Sequence, residues 1–122
     1  EIGSHTLSHP ILSRCDPARQ KLEIEESLRL LRTQLGRDIT SFAYPNGRLC
    51  DIDSNSIDLV RAAGYASAVT CEGVFVRAGA DPHLLSRIGA AHSVAGLSRQ
   101  LDGVSYFSSR LQRRLAIGRG AH

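Results

Sequence analysis

The chain contains no Met and no Trp, only three Phe and three Tyr, and a single Lys among its 122 residues. So few aromatic rings exclude the stacking platforms on which single-stranded nucleic acid is read. Cysteine is scarce too: Cys15, Cys50 and Cys71 lie far apart, with no C-x-x-C spacing. An odd, dispersed set of this kind reads as free or buried thiols, not as a disulfide framework. No stretch approaches the roughly 20 apolar residues that a membrane helix needs, and no signal-peptide pattern opens the chain. Hydrophobic residues at 42% and charged residues at 22% exclude disorder, collagen and coiled coil. The length allows one domain, not two. The formal charge of +3 comes almost wholly from arginine and gathers late, at Arg110, Arg113, Arg114 and Arg119. It is a weak pull toward an anionic partner, and no nucleic acid is expected.

What is present alternates between two periods. Glu1 to Gly3 reads as the tail of a strand, followed by a polar turn from Ser4 to Pro10. The chain opens without Met and in mid-element, so it is expected to be a piece of a larger protein. Asp16-Pro17 starts a helix, because Asp offers a capping oxygen and Pro is tolerated at the first helical position. Ile24, Leu28, Leu31 and Leu35 recur at helical spacing and Gly36 ends the run. Ser41 to Tyr44 reads as a strand stopped by Pro45-Asn46-Gly47. Asp53 or Ser54 caps a second helix, with Ile57, Val60 and Ala63 inward and Gly64 at its end. Tyr65 to Thr70 and Leu84 to Ile88 read as further strands, separated by the loop Cys71 to Pro82. Ser93 caps a last helical region with the stripe Val94, Leu97 and Leu101, and Val104, Phe107, Leu111 and Leu115 form another beyond Gly103. Residues 1–116 are expected to form one domain part, and 117–122 a frayed tail. Strands alternating with helices imply an α/β fold with parallel strands.

Two segments follow strands, and active sites of parallel α/β folds lie beyond the carboxyl ends of their strands. In Ser4-His5-Thr6-Leu7-Ser8-His9-Pro10, the two imidazoles are four residues apart, which on a helical turn puts them on one side. Neutral imidazole is the commonest transition-metal ligand, and the neighbouring hydroxyls can orient the rings. Spacing alone favours two solvated side chains, and the position directly after a strand end is what argues for ligands. In Ser41-Phe42-Ala43-Tyr44-Pro45-Asn46-Gly47, the glycine permits a tight turn presenting backbone N–H groups to a developing oxyanion. The same string also suits an ordinary turn.

Together these segments resemble the polysaccharide deacetylases of the NodB-homology type, carbohydrate esterase family four. The strings that carry the resemblance are Glu1 to Pro10, Phe42 to Gly47, Gly64-Tyr65 before Ala68-Val69-Thr70, and Leu85-Ser86-Arg87-Ile88. The resemblance implies a partial (β/α) barrel and a divalent metal, zinc first and cobalt or manganese as substitutes. It also implies removal of N- or O-linked acetyl groups from an acetylated polysaccharide. His5 and His9 match the metal-binding histidines. Asn46 stands where a backbone N–H receives the oxyanion, with Tyr44, Pro45 and Gly47 around the substrate. Arg87, at a strand end, either reaches the site or pairs with Asp81. The family's arginine falls at Ala43, its tryptophan motif has no counterpart, and His83 and His92 are off-register for its general acid. Its paired Asp motif, which supplies the base and a third ligand, would lie before Glu1. Asp16, Cys15 and Asp51 are the candidates within the chain to complete the metal shell, and spacing singles out none of them. The 122 residues alone are therefore expected to be inactive.

Two other readings compete. One is a catalytically silent carbohydrate-binding relative, which the missing arginine and general acid would suit. The other is a basic interaction domain using the late arginines, although these most simply form the solvated face opposite Phe107, Leu111 and Leu115.

Overall fold

The computed structural model describes residues 1–73 and 75–103. The chain divides into two compact units, Glu1–Ile88 and Gly89–His122. The first coincides with the stretch that carries the family resemblance. Its element order is α1 (Pro17–Leu35), β1 (Ser41–Ala43), α2 (Ser54–Ala62), β2 (Ser67–Thr70) and β3 (Leu85–Ser86). Single 3-10 turns occupy Leu12–Arg14, Leu49–Asp51 and Pro82–Leu84.

The three strands form one parallel sheet in the order β1-β2-β3, with Ser41 opposite Ser67 and Val69 opposite Leu85. The opening segment joins beside β1 through a single parallel bridge, Ser4 to Phe42, instead of a strand over Glu1 to Gly3. Gly3 makes this approach possible, since a Cβ there would stand 2.9 Å from the Ser41 carbonyl oxygen. The expected α/β class with parallel strands and connecting helices is what the chain forms. The strands are shorter than periodicity suggested, because Tyr44, Tyr65 and Ala66 lie at the ends of the paired stretch and Pro82–Leu84 turn before β3 begins.

Helix α1 starts and stops as its caps require. Asp16 accepts from the Arg19 N–H at 2.9 Å, and Gly36 takes the left-handed conformation at φ 61°. Asp53, not Ser54, caps α2 in a reciprocal capping box with Ser56. The core joins Leu12, Ile24, Leu28, Ile39, Phe42, Tyr44, Ile52, Val60, Tyr65 and Ala68. Burying each large member contributes about 1.5–3 kcal/mol. Ile57 and Ala63 pack against this cluster as expected. Leu35, the last residue of the expected α1 stripe, is exposed.

The inward face of α1 also carries polar residues that an apolar stripe does not reveal: Gln20, Glu23 and Ser27 are all buried. The Gln20 amide donates to the Leu12 carbonyl at 2.8 Å and to Asp53 at 2.9 Å, and accepts from Asn55 at 2.6 Å. That network ties the first turn of α1 to the first turn of α2. Ser27 and Ser4 share a hydroxyl hydrogen bond of 2.7 Å, which fixes the opening segment against α1.

In the second unit, α3 (Val94–Leu101) is capped by Ser93, whose hydroxyl accepts from the Gly96 N–H at 3.1 Å. Its expected stripe of Val94, Leu97 and Leu101 is exposed. The second stripe, the late arginines from Arg110 onward and the tail 117–122 lie outside the described residues. No helix among the described residues is long and apolar enough to cross a membrane.

Candidate functional site

The segment from His5 to His9 follows the Ser4 bridge and is a loop, not the helical turn that the four-residue spacing suggested. The two imidazoles nonetheless meet, with ring centroids 4.7 Å apart in an edge-to-face arrangement. What brings them together is two left-handed residues, Thr6 at φ 66° and His9 at φ 57°. A left-handed conformation costs roughly 1–2 kcal/mol in a non-glycine residue and is most adverse for a β-branched one such as Thr. The Thr6 hydroxyl offsets part of that cost. It donates to the His5 carbonyl at 2.5 Å and accepts from the His9 backbone N–H at 3.1 Å, so it bridges both histidines.

His5 is further fixed by β1. Its Nδ1 lies 2.7 Å from the carbonyl oxygen of Ala43, the last residue of the strand. A carbonyl can only accept, so in the neutral imidazole Nδ1 carries the proton and the lone pair is on Nε2. Orientation of one ring nitrogen by a carbonyl is the usual setting of a metal-binding imidazole. The donor set therefore fits a borderline cation such as zinc as far as two ligands go. Among the described residues no group of three His, Cys, Asp or Glu side chains gathers that could complete a site. Asp16 is engaged as the α1 cap, Cys15 lies 3.5 Å from the Ile11 carbonyl, and Cys50 lies 3.9 Å from Asp51.

A residue that the motifs passed over holds the loop from behind. Glu23, with its side chain fully buried, accepts from the Leu7 and Ser8 backbone N–H groups at 2.8 and 2.9 Å and from the Ser8 hydroxyl at 2.5 Å. Arg19, one turn earlier, pairs with it at 2.6 Å. Burial alone would raise the Glu23 pKa. The Ser8 hydroxyl, the two backbone donors and Arg19 outweigh it and hold the carboxyl below its ordinary range. An acidic residue on a helix ordinarily faces solvent, so nothing in the local sequence pattern marked it.

The second segment leaves β1 through Tyr44, Pro45, Asn46 and Gly47. Asn46 is exposed and left-handed at φ 57°, a conformation that Asn tolerates better than most residues. Among the described residues its backbone N–H has no acceptor within the protein. Gly47 follows at φ 74°. Tyr44, Pro45 and Gly47, expected around the substrate, are buried instead. The Tyr44 hydroxyl donates to the His83 carbonyl at 3.1 Å, and burial, helped by the Asp81 charge, pushes its pKa up. These three residues support the turn from the core side and leave Asn46 as its exposed member.

Arg87 does not pair with Asp81, which is taken by Arg61. Its guanidinium donates to the Thr70 carbonyl at 3.3 Å and to the Cys71 sulfur at 3.0 Å, at the carboxyl end of β2. His83 is likewise occupied, with Nε2 2.8 Å from the Tyr65 carbonyl and Nδ1 3.6 Å from Asp81. All three thiols are free, as their spacing indicated.

Comparison with known proteins places the fold and the family. The chain is similar to a Streptococcus pyogenes deacetylase solved in complex with acetate, at 30% identity and a TM-score of 0.62, covering 70% of this chain and 37% of that one. A polysaccharide deacetylase from Bacillus cereus shares the fold at 19% identity and a TM-score of 0.69, covering 82% of this chain and 31% of that one. A de-N-acetylase from Aggregatibacter actinomycetemcomitans does so at 14% identity and a TM-score of 0.55, covering 69% and 31%. The chain thus spans about a third of the length of these structures. No curated protein sequence matches it. The polysaccharide deacetylase family profile matches residues 1–68. With that match over more than half of its length, the chain belongs to the polysaccharide deacetylase family.

Proposed function

We propose that this chain carries the two-histidine part of a metal-dependent site that hydrolyses acetyl groups, N- or O-linked, from a polysaccharide. The observation that carries the reading is the His5–His9 pair, 4.7 Å apart, with His5 oriented through Nδ1 by the Ala43 carbonyl. His5 and His9 would hold a divalent ion, zinc by preference and cobalt or manganese as substitutes. Such an ion, when bound, polarises a carbonyl and lowers the pKa of water toward about 7. The chain's own part is to orient and to stabilise charge. The unpaired Asn46 N–H, just beyond β1, is available to an acetyl oxygen as charge develops on it. The acetate bound to the Streptococcus pyogenes relative is the product such a reaction would release.

Among the described residues no group of three His, Cys, Asp or Glu side chains gathers to give a third ligand. Arg87 is held by Thr70 and Cys71 beside the Gly47 turn, and a catalytic part for it stays a proposal. The 122 residues alone are therefore expected to release no acetate from acetylated chito-oligosaccharides, even with added zinc or cobalt. The engagement of His83 with the Tyr65 carbonyl also favours a second reading, a carbohydrate-binding module without catalysis. The two separate on one measurement: metal-dependent acetate release by the whole natural protein. Turnover that disappears in His5→Ala and His9→Ala supports the hydrolase. Full activity in His9→Ala overturns the metal assignment, and sugar binding with no turnover supports the silent module.

A further inference from the structure

We infer that Glu23 is a positioning residue for the metal-binding loop: it holds His5 and His9 in ligand geometry from the buried face of α1. This inference rests on the metal reading above and extends it to a residue outside both motifs.

Three observations carry it. The loop is intrinsically disfavoured, with a β-branched Thr6 and His9 both left-handed. Strained backbone of this sort persists only where its surroundings over-determine it. The Thr6 hydroxyl links the two ends of the loop to each other, but not to the rest of the fold. Glu23 ties its middle to a rigid element through the Leu7 and Ser8 backbone N–H groups on Oε2 and the Ser8 hydroxyl on Oε1. Arg19, on the same helix, adds one bond to the Ser8 hydroxyl at 3.0 Å, and Glu23 holds both backbone donors.

The placement of the carboxylate also argues for position over stability. Glu23 is fully buried beside Ile24, which is itself inaccessible in the core. Its ion-pair partner Arg19 is half exposed, and taking a carboxylate out of water costs free energy that such a pair offsets only in part. Its distinctive property is direction: two carboxylate oxygens meet three donors of one loop and a guanidinium at distances of 2.5 to 2.9 Å. Every donor on the loop belongs to a residue lying between the two histidines.

The test uses the whole 122-residue chain and zinc alone as the probe, read by NMR at the His5 and His9 ring protons. Metal-free, the wild type should show a cross-peak between the two rings. Glu23→Ala should lose that cross-peak and bind zinc about 10- to 100-fold more weakly, the usual effect of removing a partner behind a metal ligand. Glu23→Gln keeps an acceptor for the backbone donors but turns an NH2 toward Ser8 and Arg19, so a loss smaller than that of Glu23→Ala is expected. Ile24→Val, the adjacent core position, destabilises the same helix without touching the loop, and should keep both the cross-peak and the affinity. Wild-type affinity in Glu23→Ala overturns the inference, as does an equal loss in Ile24→Val. Should Glu23→Ala fail to fold, Glu23→Gln decides: unchanged affinity overturns the inference and weakened affinity supports it. Undiminished zinc binding by His9→Ala is a separate failure, that of the metal reading itself.

Discussion

The carbonyl of Gly47 accepts the Cys71 backbone N–H at 2.7 Å, and a Cβ on Gly47 would stand 3.0 Å from the Cys71 sulfur. The turn after β1 is thereby locked onto the end of β2, and no side chain fits between them. Gly47→Ala should lose about 1–2 kcal/mol for its left-handed backbone and about 1–3 kcal/mol for overpacking. Gly36 is also left-handed, at φ 61°, but a Cβ there meets nothing within 4 Å. Gly36→Ala should therefore cost the smaller, conformational part alone. Urea midpoints at unchanged slope would check the order, and equal losses would contradict it.

Asn46 is proposed to act only through its backbone, so its side chain is dispensable while its φ of 57° is not. Asn46→Gly should keep both the turn and whatever turnover the whole protein has. Asn46→Val places a β-branched residue in the left-handed region and should cost about 1–2 kcal/mol and lower turnover. Side-by-side rates for the two variants, with thermal midpoints, would test this. A larger loss in the glycine variant would show that the amide side chain takes part.

Asp53 joins the two helices by capping α2 and accepting from Gln20. Burial would raise its pKa, but the Ser56 N–H, Gln20 and the Ser56 hydroxyl together hold it below its ordinary 3.8, and Glu23 is likewise held below 4.5. A carboxyl depressed in the folded state gives stability that is fully present above its unfolded pKa and is lost as pH falls through the folded value. The chain should thus be steady from neutral pH down to about 5 and weaken progressively below 4.5. Asp53→Asn keeps a good cap and should flatten the acid limb, whereas Asp53→Ala should cost roughly 0.5–2 kcal/mol at neutral pH. Denaturant unfolding at pH 7, 5 and 3.5 would check the signs, and an acid limb identical to wild type in Asp53→Asn would contradict the linkage.

Ile2, Leu22, Leu30, Leu35 and Leu49 are exposed in the first unit, and among the described residues no strand pairs beyond β3. The 122-residue chain should therefore be of low stability and self-associate as its concentration rises. Leu22→Lys with Leu30→Lys should reduce that tendency. Sedimentation velocity across a concentration series would detect it. A sharply unfolding monomer at all concentrations would count against it.

Local chemistry was legible wherever one residue decides a backbone event. Asp16-Pro17 and Gly36 bound α1, Asp53 and Ser93 cap their helices, and Pro45-Asn46-Gly47 turns the chain after β1. The two histidines were also legible as a pair, though for the wrong reason. Spacing placed them on a helical turn, while the chain brings them together through left-handed Thr6 and His9. The partners of Arg87 were not legible, because Thr70 and Cys71 are its neighbours only across the sheet.

The sequence by itself determined the parallel α/β class, the helix boundaries and the two segments that follow strands, because caps, turns and periodicity act over a few residues. The tertiary structure alone decided which polar side chains of α1 face inward. Gln20, Glu23 and Ser27 look like surface residues until Leu12, Ser8 and Ser4 supply their partners. A buried polar group is tolerable only when its hydrogen bonds are met, and here those bonds come from residues between 8 and 23 positions away.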